Sequence, residues 1–317
     1  MNKTAKKISI ISPCYNESQG IYECHSAIKN LFSEKLNSYQ YEHIFCDNSS
    51  NDDSKEILKK IAKEDKNIKV IFNARNYGSQ KSIFNSLKYA SGDAIVLFLP
   101  IDLQDPPNLI SDFIKKWEQG YDLVYGTRDK RNEFFIMKFI RKLFYNIIFY
   151  SSNGKVPKNI SDFQLVDKKI LKEMLNINDK NPFVRTLAFL KTDNHVGISY
   201  EWGKRIHGKS KEFFKTLVDI GINGFISVTN APFRIVLYSG IIISLMSILF
   251  AIVNIIQFSF FRPDIPRGIP TIIVSLFFLS GIQLLVLGYI GEYISSINNQ
   301  VRDKNNVNVR ETLNFDK

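Results

Sequence analysis

Three polar clusters in this 317-residue chain combine residue types that could do chemistry. They are Pro13-Cys14-Tyr15-Asn16-Glu17, Asp47-Asn48-Ser49-Ser50-Asn51-Asp52-Asp53 and Asp102-Leu103-Gln104-Asp105. The third is the most telling. A hard divalent cation such as Mg2+ or Mn2+ takes oxygen ligands and keeps substrate phosphates in its shell, so one carboxylate, one amide oxygen and a diphosphate would suit it. Asp105 stands before Pro106 and Pro107 and is expected to cap the next helix, which leaves Asp102 and Gln104 as the metal candidates. Other chemistries are not signalled. The chain has neither G-x-G-x-x-G nor G-x-x-x-x-G-K-[ST], so no dinucleotide or P-loop site is indicated. His25, His43, His195 and His207 lack ligand spacing. Cys14, Cys24 and Cys46 form neither a C-x-x-C pair nor a disulfide framework.

The elements that must position these clusters alternate in type. Strands are expected at Lys7 to Ser12, Tyr41 to Cys46, Ile68 to Asn73, Ala94 to Leu99 and Asp122 to Gly126. Helices are expected between them at Gly20 to Ser33, Ser54 to Glu64, Gly78 to Ala90 and Pro107 to Gln119, with Ser54 as an N-cap. That alternation implies an α/β domain with a mostly parallel sheet. Ligands of such sheets bind at the carboxyl ends of the strands, and the three clusters follow the first, second and fourth of them.

The net charge of +11 and the mean hydropathy of −0.11 suggest an ordinary globular chain, but the apolar residues are unevenly spread. Residues 235–261 and 268–291 form uncharged runs of 27 and 24 residues. A bilayer core needs roughly 20 apolar residues of helix, so each run is long enough to span. Only Arg262 to Arg267 separates them, so a two-helix hairpin is expected, with both chain ends on one side. The N-terminus lacks an apolar core of signal-peptide length, so the first 230 residues are expected to stay in the cytosol. The amphipathic segment 212–234 reads as a helix lying in the membrane interface, and the aromatic and basic segment 134–150 reads as either a second interfacial helix or a core helix of the soluble domain. The expected organisation is a catalytic domain over 1–211, the juxtamembrane helix 212–234, spans 235–261 and 268–291, and a polar, mobile tail over 292–317. The positive charge fits an anionic membrane surface and a phosphate-bearing substrate, with no nucleic-acid partner. Gly240, Gly281 and Gly288 permit close helix packing, which is compatible with a homo-oligomer.

Seven motifs in order carry a resemblance. Pro13-Cys-Tyr-Asn-Glu17 matches P-x-Y-N-E, Asp47-Asn-Ser-Ser-Asn-Asp-Asp-Ser54 matches D-D-G-S-T-D-D-T, and Arg75-Asn-Tyr-Gly78 matches R-N-x-G. Asp102-Leu-Gln-Asp-Pro-Pro107 matches D-L-Q-D-P-P, and Gly126-Thr-Arg128 with Arg131 matches G-x-R-x-x-R. Asp162-Phe-Gln-Leu165 matches D-F-R-L, and Arg205-Ile-His-Gly-Lys-Ser-Lys211 matches R-x-x-G-x-S-K. The chain resembles family 2 glycosyltransferases of the GT-A fold, in particular the polyprenyl-phosphate sugar transferases. The resemblance implies a nucleotide-sugar site at Pro13, Tyr15, Glu17, Asp47, Asn48, Arg75 and Gly78. It also implies a Mg2+ or Mn2+ ion on Asp102 and Gln104. Arg128, Arg131, Arg205 and Ser210 would receive the lipid phosphate, and Asp162 would stand beside the sugar.

The implied activity is an inverting transfer of a hexose to undecaprenyl phosphate, with UDP-glucose the foremost donor. It would take place on the cytosolic face of a bacterial plasma membrane and serve surface polysaccharide modification. A processive polysaccharide synthase is disfavoured, because no Q-x-x-R-W motif and no further spans are present. Three departures stand out. Pro100 occupies the first carboxylate position of D-x-D, Asn48 and Ser49 replace Asp and Gly, and Gln164 replaces Arg. The first two favour one rival reading, a non-catalytic relic that binds nucleotide sugar or scaffolds an assembly complex.

Overall fold

In β1 (Lys7–Cys14), Ile8, Ile10 and Ile11 are all fully buried, although neighbouring side chains point to opposite faces. Such a strand must be covered on both sides, as parallel strands of α/β sheets are. The computed structural model describes residues 5–128, 154–177, 182–203, 268–301 and 307–315, with isolated positions between them. Its elements continue as α1 (Ile21–Glu34), β2 (Gln40–Asp47), α2 (Ser54–Glu64), β3 (Ile68–Asn73), α3 (Ser79–Leu87), β4 (Ala94–Val96) and α4 (Leu109–Glu118). Then follow β5 (Leu123–Arg128), β6 (Ile160–Asp167), α5 (Lys168–Leu175), α6 (Val184–Leu187), β7 (His195–Tyr200), α7 (Gly268–Val301) and β8 (Val309–Leu313).

The strands form one sheet in the order β7-β5-β6-β4-β1-β2-β3-β8. β1 pairs in parallel with β2 and β4, β2 with β3, and β5 with β7. β6 runs antiparallel between β4 and β5, and β8 antiparallel to β3. One face packs under α1, α2 and α4 through Ile28, Leu58 and Phe113. The other packs under α3, α5 and α6 through Leu87, Met174 and Leu187. The chain goes outward from β1 to β3 and then crosses back to β4. The crevice beside β1 is therefore a topological switch point, where α/β sheets bind ligands. Because β6 is reversed, its first residues meet the carboxyl ends of β4 and β5. Asp162 thus shares an edge of the sheet with Arg128 and Tyr200.

The chain divides into one unit of Met1–Val228 with Asn305–Lys317 and a second of Thr229–Lys304. The first unit corrects the expected mobile tail. Residues 309–313 form β8, with Val70 opposite Leu313 and Phe72 opposite Glu311. Lys59 pairs with Glu311 at 2.9 Å, and the Asn314 amide donates to the carbonyls of Ala62 and Ile68 at 2.6 and 2.8 Å. The second unit contains the 34-residue α7. Among the described residues, no helix is long and apolar enough to cross a membrane, and only part of the side chains of α7 are described. The described residues therefore do not support the expected hairpin. Its first arm, 235–261, and the expected interfacial helices over 134–150 and 212–234 lie almost wholly outside them.

Candidate active site

The loops after β1 and β2 are laced together by short polar side chains. Asn16 N–H donates to Ser50 Oγ at 2.8 Å, and Asn51 N–H donates to Asn16 Oδ1 at 2.7 Å. Glu17 N–H reaches Ser54 Oγ at 3.1 Å. Ser54 opens α2, but the structure gives α2 no side-chain cap bond. Its hydroxyl serves the neighbouring loop instead. Pro13, Tyr15 and Glu17 are half-buried along this seam. Asp47 is 2% exposed and accepts from Ser50 N–H; burial pushes its pKa up, and the Ser50 and Ser49 hydrogen bonds pull against that.

Asn48 explains one departure from the family pattern. Its Oδ1 accepts from Asn73 Nδ2 at 3.2 Å and from Tyr77 N–H at 3.1 Å. Its Nδ2 donates to Asn76 Oδ1 at 2.8 Å. A carboxylate could make the first two bonds but not the third. Asn48 thereby ties the loop after β2 to the loop 74–78 after β3. In that loop the Arg75 guanidinium lies over the Tyr77 ring at 4.7 Å, and Gly78 takes φ +84°, a conformation suited to glycine.

On the other side of β1 the site is ionic. Asp102, 5% exposed, accepts from Gln104 N–H at 3.2 Å. Gln104 Nε2 donates to the Gly203 carbonyl at 3.2 Å, and Gly203 N–H returns a bond to the Gln104 carbonyl at 2.9 Å. The Gln104 amide is thus held by its nitrogen, so a cation at this loop would meet its oxygen. The Pro100 carbonyl accepts from Leu103 N–H at 3.1 Å.

Asp105 does not cap α4, whose N-terminus has no side-chain cap. It is fully buried and accepts two bonds from Arg128 Nη2, at 3.0 and 2.9 Å, and a third from the Tyr200 hydroxyl. A buried carboxylate needs such a partner. Burial pushes the Asp105 pKa up against the pull of Arg128 and Tyr200. Burial also opposes the charge on Arg128, but Asp105 holds that guanidinium above its usual range. Arg128 also donates from Nε to Tyr200 Oη at 3.0 Å and lies over the Trp202 ring at 4.6 Å. Arg128 was expected to face an incoming phosphate, yet two of its nitrogens are engaged within the protein. Asp162 forms the second pair, with Arg185 Nε at 2.9 Å and with Arg185 Nη2. Gln164, buried beside it, donates from Nε2 to the carbonyls of Ser161 and Arg185, both at 2.8 Å. It takes the place of the family arginine and fixes the backbone that carries Arg185.

The structure therefore places the expected residues around one edge of the sheet, split between a donor-side seam and an ionic cluster. Arg131, Arg205 and Ser210 lie outside the described residues. Arg185, Tyr200 and Trp202 were not foreseen. The aromatic pair Tyr200 and Trp202 flanking Glu201 was the one available signal. Among the described residues, no group of three or more His, Cys, Asp or Glu side chains could hold a metal.

A doubly covered α/β sheet with its polar loops gathered at a switch point is an architecture suited to a nucleotide ligand, and with the family match below it is of the GT-A type. The chain belongs to glycosyl transferase family 2, whose model matches residues 9–175, and is a glycosyltransferase. It is 34% identical to the uncharacterized glycosyltransferase YkcC of Bacillus subtilis, over 93% of this chain and 91% of that one. It is 28% identical to the SfII prophage-derived bactoprenol glucosyl transferase of Shigella flexneri, over 94% of this chain and 96% of that one. Among solved structures it is similar to glucosyl-3-phosphoglycerate synthase of Mycobacterium tuberculosis in complex with Mn2+, UDP and glucosyl-3-phosphoglycerate. That match has a TM-score of 0.46 and 19% identity, over 68% of this chain and 76% of that one.

Proposed function

We propose that this protein transfers glucose from UDP-glucose, with inversion, to undecaprenyl phosphate on the cytosolic face of a bacterial plasma membrane. The observation that carries this reading is the direct linkage of two loops. The Asp102–Gln104 loop is bonded to Gly203, one residue from the Trp202 that covers Arg128. A group suited to a cation and a group suited to a phosphate are thereby held side by side. The likeness to a bactoprenol glucosyl transferase along nearly the whole chain supports the lipid acceptor.

The residues present fit a divalent cation. Asp102 and Gln104 offer hard oxygens, too few to complete a shell, as suits an ion that keeps waters and diphosphate oxygens. Such an ion would supply charge neutralisation to the departing diphosphate. An acceptor phosphate monoester has its second pKa near about 6, so at neutral pH its oxygen is already anionic. That oxygen forms the new bond to the anomeric carbon as the bond to UDP breaks and its electron pair leaves with UDP. No proton has to be removed. Asp162, held by Arg185, orients the acceptor or stabilises positive charge at the anomeric carbon. Of the arginines that the family pattern assigns to the acceptor, Arg131 and Arg205 suit the phosphate because guanidinium forks match its oxygens, while Arg128, engaged by Asp105 and Tyr200, contributes its charge.

The membrane reading draws support from the second unit. The run Gly268–Gly291 has no charged side chain, and Ile272, Leu276, Phe278, Leu284 and Leu287 on α7 are each more than 60% exposed within the chain. Apolar patches of that kind mark a lipid or protein surface. The chain leaves the first unit at Val228 and re-enters it at Asn305, as a hairpin requires. The test is purified protein with Mn2+, polyprenyl phosphate in detergent or vesicles, and a panel of radiolabelled nucleotide sugars. Label from UDP-glucose should appear in the lipid fraction. No transfer to lipid from any common nucleotide sugar would sink the proposal.

A further inference from the structure

The strand β8 does more than close an edge. Its ladder with β3 shifts register between Phe72 and Asn73, where the strand's leading residue meets the loop 74–78. The Asn308 carbonyl accepts from Ala74 N–H at 2.8 Å, and Asn308 N–H donates to the Tyr77 hydroxyl at 3.2 Å. The loop between these bonds carries Arg75 on the Tyr77 ring and ends at Gly78. Ala74, Arg75, Asn76 and Gly78 are exposed, and Tyr77 is half-buried. Little apolar packing therefore fixes this segment, and its order rests on polar tethers. Asn48 supplies one set, from β2. Asn308 supplies the other, from a strand some 230 residues further along the chain. β8 is anchored independently of the loop, through Lys59, the Asn314 amide and the Phe315 ring against Tyr89 at 5.2 Å.

We propose that the C-terminal strand belongs to the nucleotide-binding machinery. Asn308 and Tyr77 act as positioning residues that hold the Arg75–Gly78 loop ready for a nucleoside diphosphate. The inference rests on the reading of Arg75 and Gly78 as donor contacts. Preorganising a loop improves affinity by removing the ordering cost from the binding step. Losing one such tether should weaken binding by about fivefold, the equivalent of one ordinary hydrogen bond.

The experiment is calorimetry on the full chain, with UDP and Mn2+ as probe and GDP in parallel. Tyr77→Phe keeps the ring under Arg75 and removes only the hydroxyl. It should raise the Kd for UDP and the KM for the nucleotide sugar by about fivefold each, with kcat unchanged and the thermal midpoint lowered only slightly. A chain ending at residue 304 loses both Asn308 tethers and should lose more than tenfold. Wild-type affinity in Tyr77→Phe overturns the inference, and that variant decides alone if the shortened chain does not fold. Absence of nucleotide binding by the wild type is a separate outcome, which removes the donor reading and the inference together.

Discussion

The two flanks of β1 solve the same problem with different chemistry. On the β2–β3 flank, Asn16, Asn48, Ser50, Asn73 and Asn76 bond to one another and to backbone as neutral groups, and the carboxylates there, Asp47 and Asp52, accept from the backbone N–H groups of Ser50, Ser18 and Ser54. On the β4–β7 flank, Asp105 with Arg128 and Asp162 with Arg185 form ion pairs, beside Asp102. A network of short side chains bonded to one another and to backbone presents a fixed shape. Paired charges remain polarised, and an arriving phosphate or cation can recruit them. The comparison teaches that shape recognition and charge handling are separated across the crevice. It also implies that single substitutions should cost far more on the ionic flank than on the neutral one.

The largest effect is expected at Asp102. Asp102→Ala removes the carboxylate proposed to hold the cation and should lower kcat by at least about 10³-fold, the scale of losing a principal charge stabiliser. UDP binding in the absence of metal should be unchanged. Full turnover in that variant would end the metal assignment. Next is the buried pair. Asp105→Ala leaves the Arg128 guanidinium without its carboxylate, and breaking a buried pair on one side costs about 3–5 kcal/mol. Urea unfolding should show that loss. The double variant Asp105→Leu with Arg128→Met should recover much of the stability while staying inactive. If the double variant is no more stable than the single, the pair is not the isolated ionic unit described.

A buried charge far from the site provides a control of intermediate size. Glu42, 1% exposed, takes hydrogen bonds from Ser9 Oγ and Ser91 and ion pairs from Lys7 and Lys69 at 2.7 and 2.8 Å. Burial pushes its pKa up, but the bonds from Lys69, Lys7, Ser9 and Ser91 prevail and lower it to about 2. A depressed acid stabilises the fold fully above its unfolded pKa, near 4.5, and loses that contribution as pH falls toward 2. The term is on the order of 3 kcal/mol at one pKa unit per about 1.4 kcal/mol. Glu42→Gln should lower stability at pH 7, and the gap to wild type should close as pH falls from 5 to 2. An unchanged gap would show that Glu42 is not ionised in the fold. Turnover at neutral pH should stay near wild type, in contrast to Asp102→Ala.

How much of this was legible follows from where the information sits along the chain. The bounds of α2 and β3 were read correctly because Leu58, Ile61, Val70 and Ile71 show helical and strand spacing locally. The clusters at Asp47 and Asp102 were visible because each is contiguous. The Asp105–Arg128–Tyr200 unit was not, since its members are brought together by β5 and β7 pairing across the sheet. In β7 only Tyr200 is buried, so its pattern gave no strand signal. β8 is five residues of alternating half-buried and exposed side chains on an edge, and its charged residues read as tail. Asp105 before two prolines looked like a cap, because sequence displays the neighbours along the chain and hides those across it.

On the neutral flank the effects shrink. Asn48→Asp keeps both acceptor bonds and loses only the donation to Asn76, so it should cost about 1 kcal/mol. It should weaken UDP binding by less than tenfold, far below the effect of Asp102→Ala on turnover. A loss of 10³-fold in turnover would mean that this flank also handles charge.

The smallest effect is at the next residue. Ser49 stands where the family pattern has glycine, and its φ is +64°, in the left-handed region. A side chain there costs about 1–2 kcal/mol relative to the right-handed conformation. Ser49→Gly relieves that cost but loosens the unfolded chain, which takes back about 0.5–1 kcal/mol. The net gain should be a few tenths of a kcal/mol, read as a slightly raised unfolding midpoint. Ser49→Val should go the other way and by more, because a β-branched residue is poorly tolerated at positive φ. Neither change touches the bonds of Asn48, so nucleotide affinity should hold in Ser49→Gly. If that variant instead loses UDP affinity, the Ser49 hydroxyl is itself a contact. The serine would then be a functional substitution, and the neutral flank would read its ligand through hydroxyls as well as amides.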